Sequence, residues 1–169
     1  QALPDYIPAA SHGSMNNLAM GSTGVGDMQS WDYYETIGGG MGASVISDGL
    51  DAVQTHMTNT LNTPIESLEM NYPLRVNRYQ VRKNSGGEGL HKGGDGIIRE
   101  FQFLEPTQVT VLSERRKHKP WGANGGHEGE SGLNLHVDKS LGSKAHIYAQ
   151  TGDILVIETP GGGGYGNAS

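Results

Sequence analysis

Histidines are the first candidates for chemistry in this chain, and there are seven: His12, His56, His91, His118, His127, His136 and His146. None pairs at the His-x-x-x-His spacing that sets two imidazoles on one helix face, and no Asp-x-Asp calcium loop occurs, so a metal site built wholly from this chain is not expected. The chain has no cysteine, which excludes disulfides, thiolate metal ligands and a thiol nucleophile. A Gly-x-x-x-x-Gly-Lys-[Ser/Thr] phosphate loop and a Gly-x-Ser-x-Gly nucleophile elbow are also missing. Chemistry here must draw on water or on groups from another chain.

His56 stands apart from the other histidines, because Thr55, Asn59, Asn62 and Glu66 surround it in sequence and a helix would place Asn59 beside it at i+3. Two readings stay open: a hydrogen-bonding cluster aimed at a polar small-molecule substrate, and a polar face satisfied within itself. Gly38, Gly39 and Gly40 are site-lining candidates, since a backbone that takes positive φ or touches substrate there admits no β-branched residue. On that argument Gly39→Val costs folding or activity and Gly21→Val does not. Gly38-x-Gly40-x-x-Ala43 has the letters of a dinucleotide fingerprint, but residues 44–49 do not open the helix such a site requires.

The elements that must position these groups are mostly strands. Residues 31–37 are aromatic and β-branched, and residues 109–112, 133–137, 145–149 and 154–157 carry further strand patterns. Leu74 and Val76 face one way and Tyr79 and Val81 resume on the other parity, which predicts a β-bulge near Asn77-Arg78. Ile97, Phe101 and Phe103 share a face, with Arg99 its odd member. Leu50, Val53, Met57 and Leu61 recur at helical spacing behind a potential Asp48 cap, predicting one longer helix. Thr63-Pro64-Ile65-Glu66 reads as a capping box, predicting a short helix from Pro64 to about Met70. Between two strands lies the segment 82–99, where glycine alternates with charge, and residues 1–27 read as loop with short strands. The fold class is mainly β with one or two short helices, packed or curled antiparallel sheets and glycine-rich loops.

Composition bounds the rest. The 169 residues include 27 glycines and are 34% hydrophobic, and 18 Asp+Glu against 12 Lys+Arg give a formal charge of −6. That balance argues against nucleic acid, and Arg115-Arg116-Lys117-His118-Lys119 is too short a basic run to reverse it. No apolar stretch approaches the ~20 residues that span a bilayer, so no membrane partner is expected. A cytoplasmic location fits the lack of cysteine. The chain opens on Gln1, which suggests either processing or a piece of something longer.

Four motifs in order, residues 55–69, Ser85-Gly86-Gly87-Glu88-Gly89 with Gly93-Gly94-Asp95-Gly96-Ile97-Ile98-Arg99-Glu100, Ser113-Glu114-Arg115-Arg116, and Thr159-Pro160-Gly161-Gly162-Gly163-Gly164-Tyr165-Gly166, resemble the hydantoinase B/oxoprolinase family. The resemblance implies that residues 1–169 are a single domain or the C-terminal fragment of a longer B-type subunit. It also implies an A-type partner subunit that binds ATP and phosphorylates an amide or enolate oxygen, after which the B-type side completes hydrolysis or carboxylation. A divalent metal would belong to the upstream part of the same subunit, itself a partner of this region. Leu90, His91 and Lys92 depart from the basic or aromatic residues often found between the family's central glycines, and lysine cannot supply the fork of an arginine.

The implied activity is ATP-dependent hydrolysis of a cyclic amide of the hydantoin or 5-oxoproline class. The alternatives are a ketone carboxylase of the acetone or acetophenone type, and a non-catalytic scaffold that docks the A-type subunit. Because residues 113–116 follow a strand, Arg115 and Arg116 are expected on opposite faces, one of them inward and paired with Glu66, Glu69 or Glu114, the alternative being that both are exposed on a turn before Pro120-Trp121-Gly122. No catalytic residue is identified.

Overall fold

The computed structural model describes residue 3, residues 6–24, 29–58 and 60–168, with Met57 described by its backbone alone. Two antiparallel sheets face each other. The first has the order β2-β1-β5-β8, built from β1 (Asn17–Ser22), β2 (Trp31–Thr36), β5 (Thr107–Leu112) and β8 (Lys144–Ala149). The second has the order β3-β4-β9-β6-β7, built from β3 (Leu74–Arg82), β4 (Gly96–Phe103), β9 (Ile154–Glu158), β6 (Leu133–His136) and β7 (Lys139–Ser140). Alternation along each strand sends Leu18, Met20, Val109 and Val111 inward from one sheet and Ile97, Phe101, Phe103, Leu155 and Ile157 from the other, and these residues form one core. The expected bulge is present, as a register shift between Val76 and Arg78 where β3 pairs with β4.

Arg99 does not turn away from its apolar neighbours. It is fully buried on their face of β4, and its Nε lies 3.2 Å from Glu35 Oε1 of the opposite sheet. The guanidinium packs against Tyr79 and Phe101, 4.5 and 5.1 Å from the ring centroids. None of the three guanidinium nitrogens makes a hydrogen bond among the described residues, so the charge contact with Glu35 and the two ring faces are what compensate this buried cation and link the two sheets through the core.

The short helix, α1, spans Ile65–Asn71 and buries Leu68. It starts one residue later than a Thr63 cap predicts. Pro64 sits at N-cap with ψ 140 and no side-chain cap bond, so helical geometry begins only at Ile65 and Glu66 stays exposed. The longer helix predicted through Leu50, Val53, Met57 and Leu61 does not form. A 3-10 turn at His56–Thr58 is all the helix there, and Leu50 and Leu61 are exposed. The main chain before that turn is engaged elsewhere: Gly49 and Ala52 N–H donate to Lys92 and Asp95 carbonyls, and Val53 exchanges hydrogen bonds with Gly39.

Those bonds belong to a second structural layer. Glycine-rich segments 38–42, 86–96, 122–129 and 161–166 pack main chain against main chain beside the sandwich. Gly40 N–H donates to Pro160 O (3.0 Å), Gly162 N–H to Gly94 O (2.8 Å), Gly94 N–H to Met41 O (2.8 Å) and Gly87 N–H to Gly162 O (2.8 Å). A Cβ on Gly40 would collide with the Gly94 carbonyl, one on Gly94 with that of Leu50, and one on Gly162 with that of Met41. As at the axis of collagen, only glycine fits. Gly38, Gly39 and Gly40 keep negative or extended φ, so close packing is what demands glycine there.

Candidate active-site cleft

Next to the glycine layer lies a cleft of about 420 Å³, whose lining includes His12, Ser14, Met15, Thr55, His56 and Glu114. His12 N–H donates to Gly40 O (2.8 Å), and its side chain lies where a Cβ on Gly39 would come within 2.6 Å of the His12 Cβ and Cγ. The lack of a side chain at Gly39 therefore makes room for the imidazole. His12 is 1% exposed. Burial lowers its pKa to about 4, the nearby His56 and Arg116 charges push the same way, and the Ser14 backbone opposes them. The ring is neutral at neutral pH.

His12 Nε2 lies 3.0 Å from Thr55 Oγ1, while Nδ1 is buried without a hydrogen bond. In one tautomer Nε2–H donates to Thr55 and Nδ1 is a free acceptor; in the other Thr55 donates and Nδ1–H is a free donor. Thr55 is held by its neighbour: Thr58 Oγ1 donates to Thr55 O (2.8 Å) and accepts from Thr55 N–H (3.1 Å). That turn puts His56 at φ +57, an uncommon conformation for a non-glycine residue, and exposes its ring on the rim.

Arg115 and Arg116 approach the same cleft from behind. The chain leaves β5 at Leu112 and Arg115 takes φ +57, so strand alternation no longer governs where the two side chains point. Arg115 stacks on Trp121 at 4.6 Å and runs past Gly13. Arg116 turns inward, as one of the pair was expected to, but meets no carboxylate. Its Nη2 donates to Asn134 Oδ1 (2.7 Å), and its Nη1 donates to Asn16 Oδ1 (2.7 Å) and Glu114 O (2.8 Å). Burial, then repulsion from Arg82, lowers its pKa to about 10. Of the acids expected as partners, Glu66 is exposed, Glu69 accepts from Val76 N–H, and Glu114 pairs with Lys144 at 3.3 Å.

The structure thus gathers His56, Gly39, Gly40, Arg115 and Arg116 around His12. Asn62 and Glu66 are elsewhere, and Asn59 lies outside the described residues. Asn62 Nδ2 donates to Thr36 O (2.7 Å) and Glu35 Oε2 (3.2 Å), and its Oδ1 accepts from the Tyr79 hydroxyl (3.3 Å). Glu35 also accepts from Tyr33 (2.7 Å); burial raises the pKa of both groups, against the opposing Arg99 charge. Gly38 borders this second region, a cleft of about 350 Å³ with Gln54, Asn62 and Tyr79 in its lining. Sequence reasoning missed His12 because Ser11-His12-Gly13-Ser14 has no periodicity. A histidine between small residues was the one available signal. Among the described residues, no three His, Asp or Glu side chains come together as metal ligands.

A β-sandwich joined to a glycine main-chain layer, with a neutral histidine cleft at their junction, defines the architecture. Residues 1–168 match the Hydantoinase B/oxoprolinase family. The chain belongs to that family. It is 49% identical over 164 residues to 5-oxoprolinase 1 of Arabidopsis thaliana, covering 94% of this chain and 12% of the plant protein. Its fold is similar to that of the ATP-dependent caprolactamase from Pseudomonas jessenii, with a TM-score of 0.79 and 26% identity over 99% of this chain and 31% of that one. Acetone carboxylase in nucleotide-free form shares the fold at TM-score 0.72 and 16% identity, over 94% of this chain and 26% of its own. The chain spans about an eighth of the plant relative's length.

Proposed function

We propose that this chain is the C-terminal region of a B-type subunit that takes part in ATP-dependent hydrolysis of a cyclic amide of the hydantoin or 5-oxoproline class. The observation that carries this reading is the full-length family match, with near-half identity to a 5-oxoprolinase. ATP binding falls to an A-type partner subunit, a divalent metal to the upstream part of the same subunit, and the setting is cytoplasmic. The isolated chain is inactive.

Within that assembly, the His12 cleft is the surface that this chain turns toward substrate. A neutral imidazole can hydrogen-bond an uncharged ring amide without bringing a buried charge beside it, and His56 and Thr55 lie within the same cleft. The test combines the full-length subunit with its A-type partner and ATP, and assays 5-oxoproline, hydantoins and acetophenone in turn. Ring opening coupled to ATP consumption is expected, lowered by His56→Ala and Thr55→Val. Carboxylation of acetophenone without ring opening would overturn the assignment.

A further inference from the structure

A strap made of residues 54–58 and 60–62 runs between the two clefts, and side chains hold most of what is described of it. Just before it, Val53 is fastened to Gly39 by reciprocal backbone hydrogen bonds of 3.0 and 2.9 Å, and just after it Pro64 leads into α1. Between those points, among the described residues, the only bond from backbone to backbone is the local Thr58 N–H to Thr55 O bond of 3.3 Å. Leu61 does not replace the missing ladder by apolar packing, being 99% exposed.

What remains is a set of polar anchors that converge on the end of β2. Gln54 Nε2 donates to Thr36 O (3.1 Å), Thr60 Oγ1 lies 3.0 Å from Thr36 Oγ1, and Asn62 Nδ2 donates to both Thr36 O (2.7 Å) and Glu35 Oε2 (3.2 Å). Asn62 is the only anchor among them that reaches two residues of β2. Its amide hydrogens are both used, and its oxygen accepts from Tyr79. An amide committed this way does not contact substrate; it holds the chain. Glu35 can accept from Tyr33 and Asn62 together because Arg99 lies opposite it in the core.

We infer that Asn62 and Glu35 are positioning residues for the His12 cleft. Their staple fixes the strap against β2, and the strap in turn presents Thr55 to His12 and His56 to the rim. The functional half of this inference rests on the cleft being the substrate surface.

The experiment uses the full-length subunit with its A-type partner and compares Asn62→Ala with Leu61→Ala. Three quantities are followed: deuterium uptake of peptides covering residues 54–62, carbethoxylation of His12 by diethyl pyrocarbonate read by mass spectrometry, and turnover. In Asn62→Ala the strap exchanges roughly tenfold faster and His12 is labelled roughly tenfold faster, while β4 and β9 exchange as before. Leu61→Ala leaves both rates unchanged. Where Asn62→Ala does not fold, Thr60→Val removes one anchor and gives a smaller rise, roughly threefold, in the same two rates. Unchanged strap exchange and unchanged His12 labelling overturn the staple, whatever the activity. A loosened strap with a raised KM supports both halves. A loosened strap with undiminished turnover keeps the staple and overturns the cleft as the substrate surface.

Discussion

The sandwich and the glycine layer solve the same problem, burying main chain beside main chain, by opposite means. In the sandwich, ladders satisfy the backbone and alternating side chains fill the space between sheets, so its core is written in Leu18, Phe101, Phe103 and Leu155. In the layer the backbone itself fills the space, and Gly40, Gly94 and Gly162 each stand where any Cβ would overlap a carbonyl. The difference teaches where tolerance lies. A side-chain core can repack around a changed volume, whereas a main-chain core has nothing that can move aside.

The largest expected effect breaks that comparison directly. Gly40→Val or Gly94→Val abolishes the folded state, whereas Ile157→Val in the sandwich costs about 0.5–1.5 kcal/mol. Denaturant titration of the two classes checks it, and similar midpoints would erase the distinction. Gly39→Val belongs with the severe class, because it strikes His12. Gly21→Val is no neutral control, as the sequence suggested, since a Cβ on that β1 residue meets Trp31 O at 2.7 Å.

Next in size is the buried ion pair of the sandwich core. Arg99→Ala leaves Glu35 buried without its counter-charge and costs about 3–5 kcal/mol. The double change Arg99→Met with Glu35→Leu costs less than the single one, because it removes both desolvation penalties. Thermal melts of the two variants rank them; a double variant weaker than the single would show that the pair contributes net stability.

The third prediction concerns acid. His12 has a folded pKa of about 4 against the ordinary 6.5, so between those values the unfolded chain binds a proton that the folded chain refuses. Stability is therefore complete above pH 6.5 and falls as the pH drops toward 4, by about 3 kcal/mol over the window. Glu35, raised by burial, acts in the opposite sense: its contribution is greatest at low pH and is lost as pH rises through its folded value. The difference between the protein and His12→Gln isolates the histidine, and identical pH profiles would show that the ring is not buried neutral.

The smallest effect separates the two arginines. Arg116→Ala strands the side-chain oxygens of Asn16 and Asn134 and costs about 1–3 kcal/mol, while Arg115→Ala removes a half-exposed stack on Trp121 and a long 3.3 Å bond to Lys119 O, together worth about 0.5–1 kcal/mol. Melting both at matched salt tests the order.

What the sequence alone determined is what is local. Period-two alternation located β3 and β4, aromatic and β-branched runs located β2, β5, β6, β8 and β9, the parity slip at Asn77-Arg78 located the bulge, proline bounded α1, and the order of the glycine motifs carried the family, while β1 stayed hidden in a segment read as loop with short strands. The same logic misfired on residues 50–61, where apolar spacing suited a helix but the main chain gained more from Lys92, Asp95 and Gly39, none of them near in sequence. Tertiary structure decided everything that depends on a distant partner. Alternation assigns Arg99 and Glu35 to inner faces without saying that they meet, and nothing within four residues of His12 announces Thr55, with which it pairs from 43 positions away. A glycine likewise records that a Cβ is absent; which carbonyl occupies the space is settled only when the segments pack.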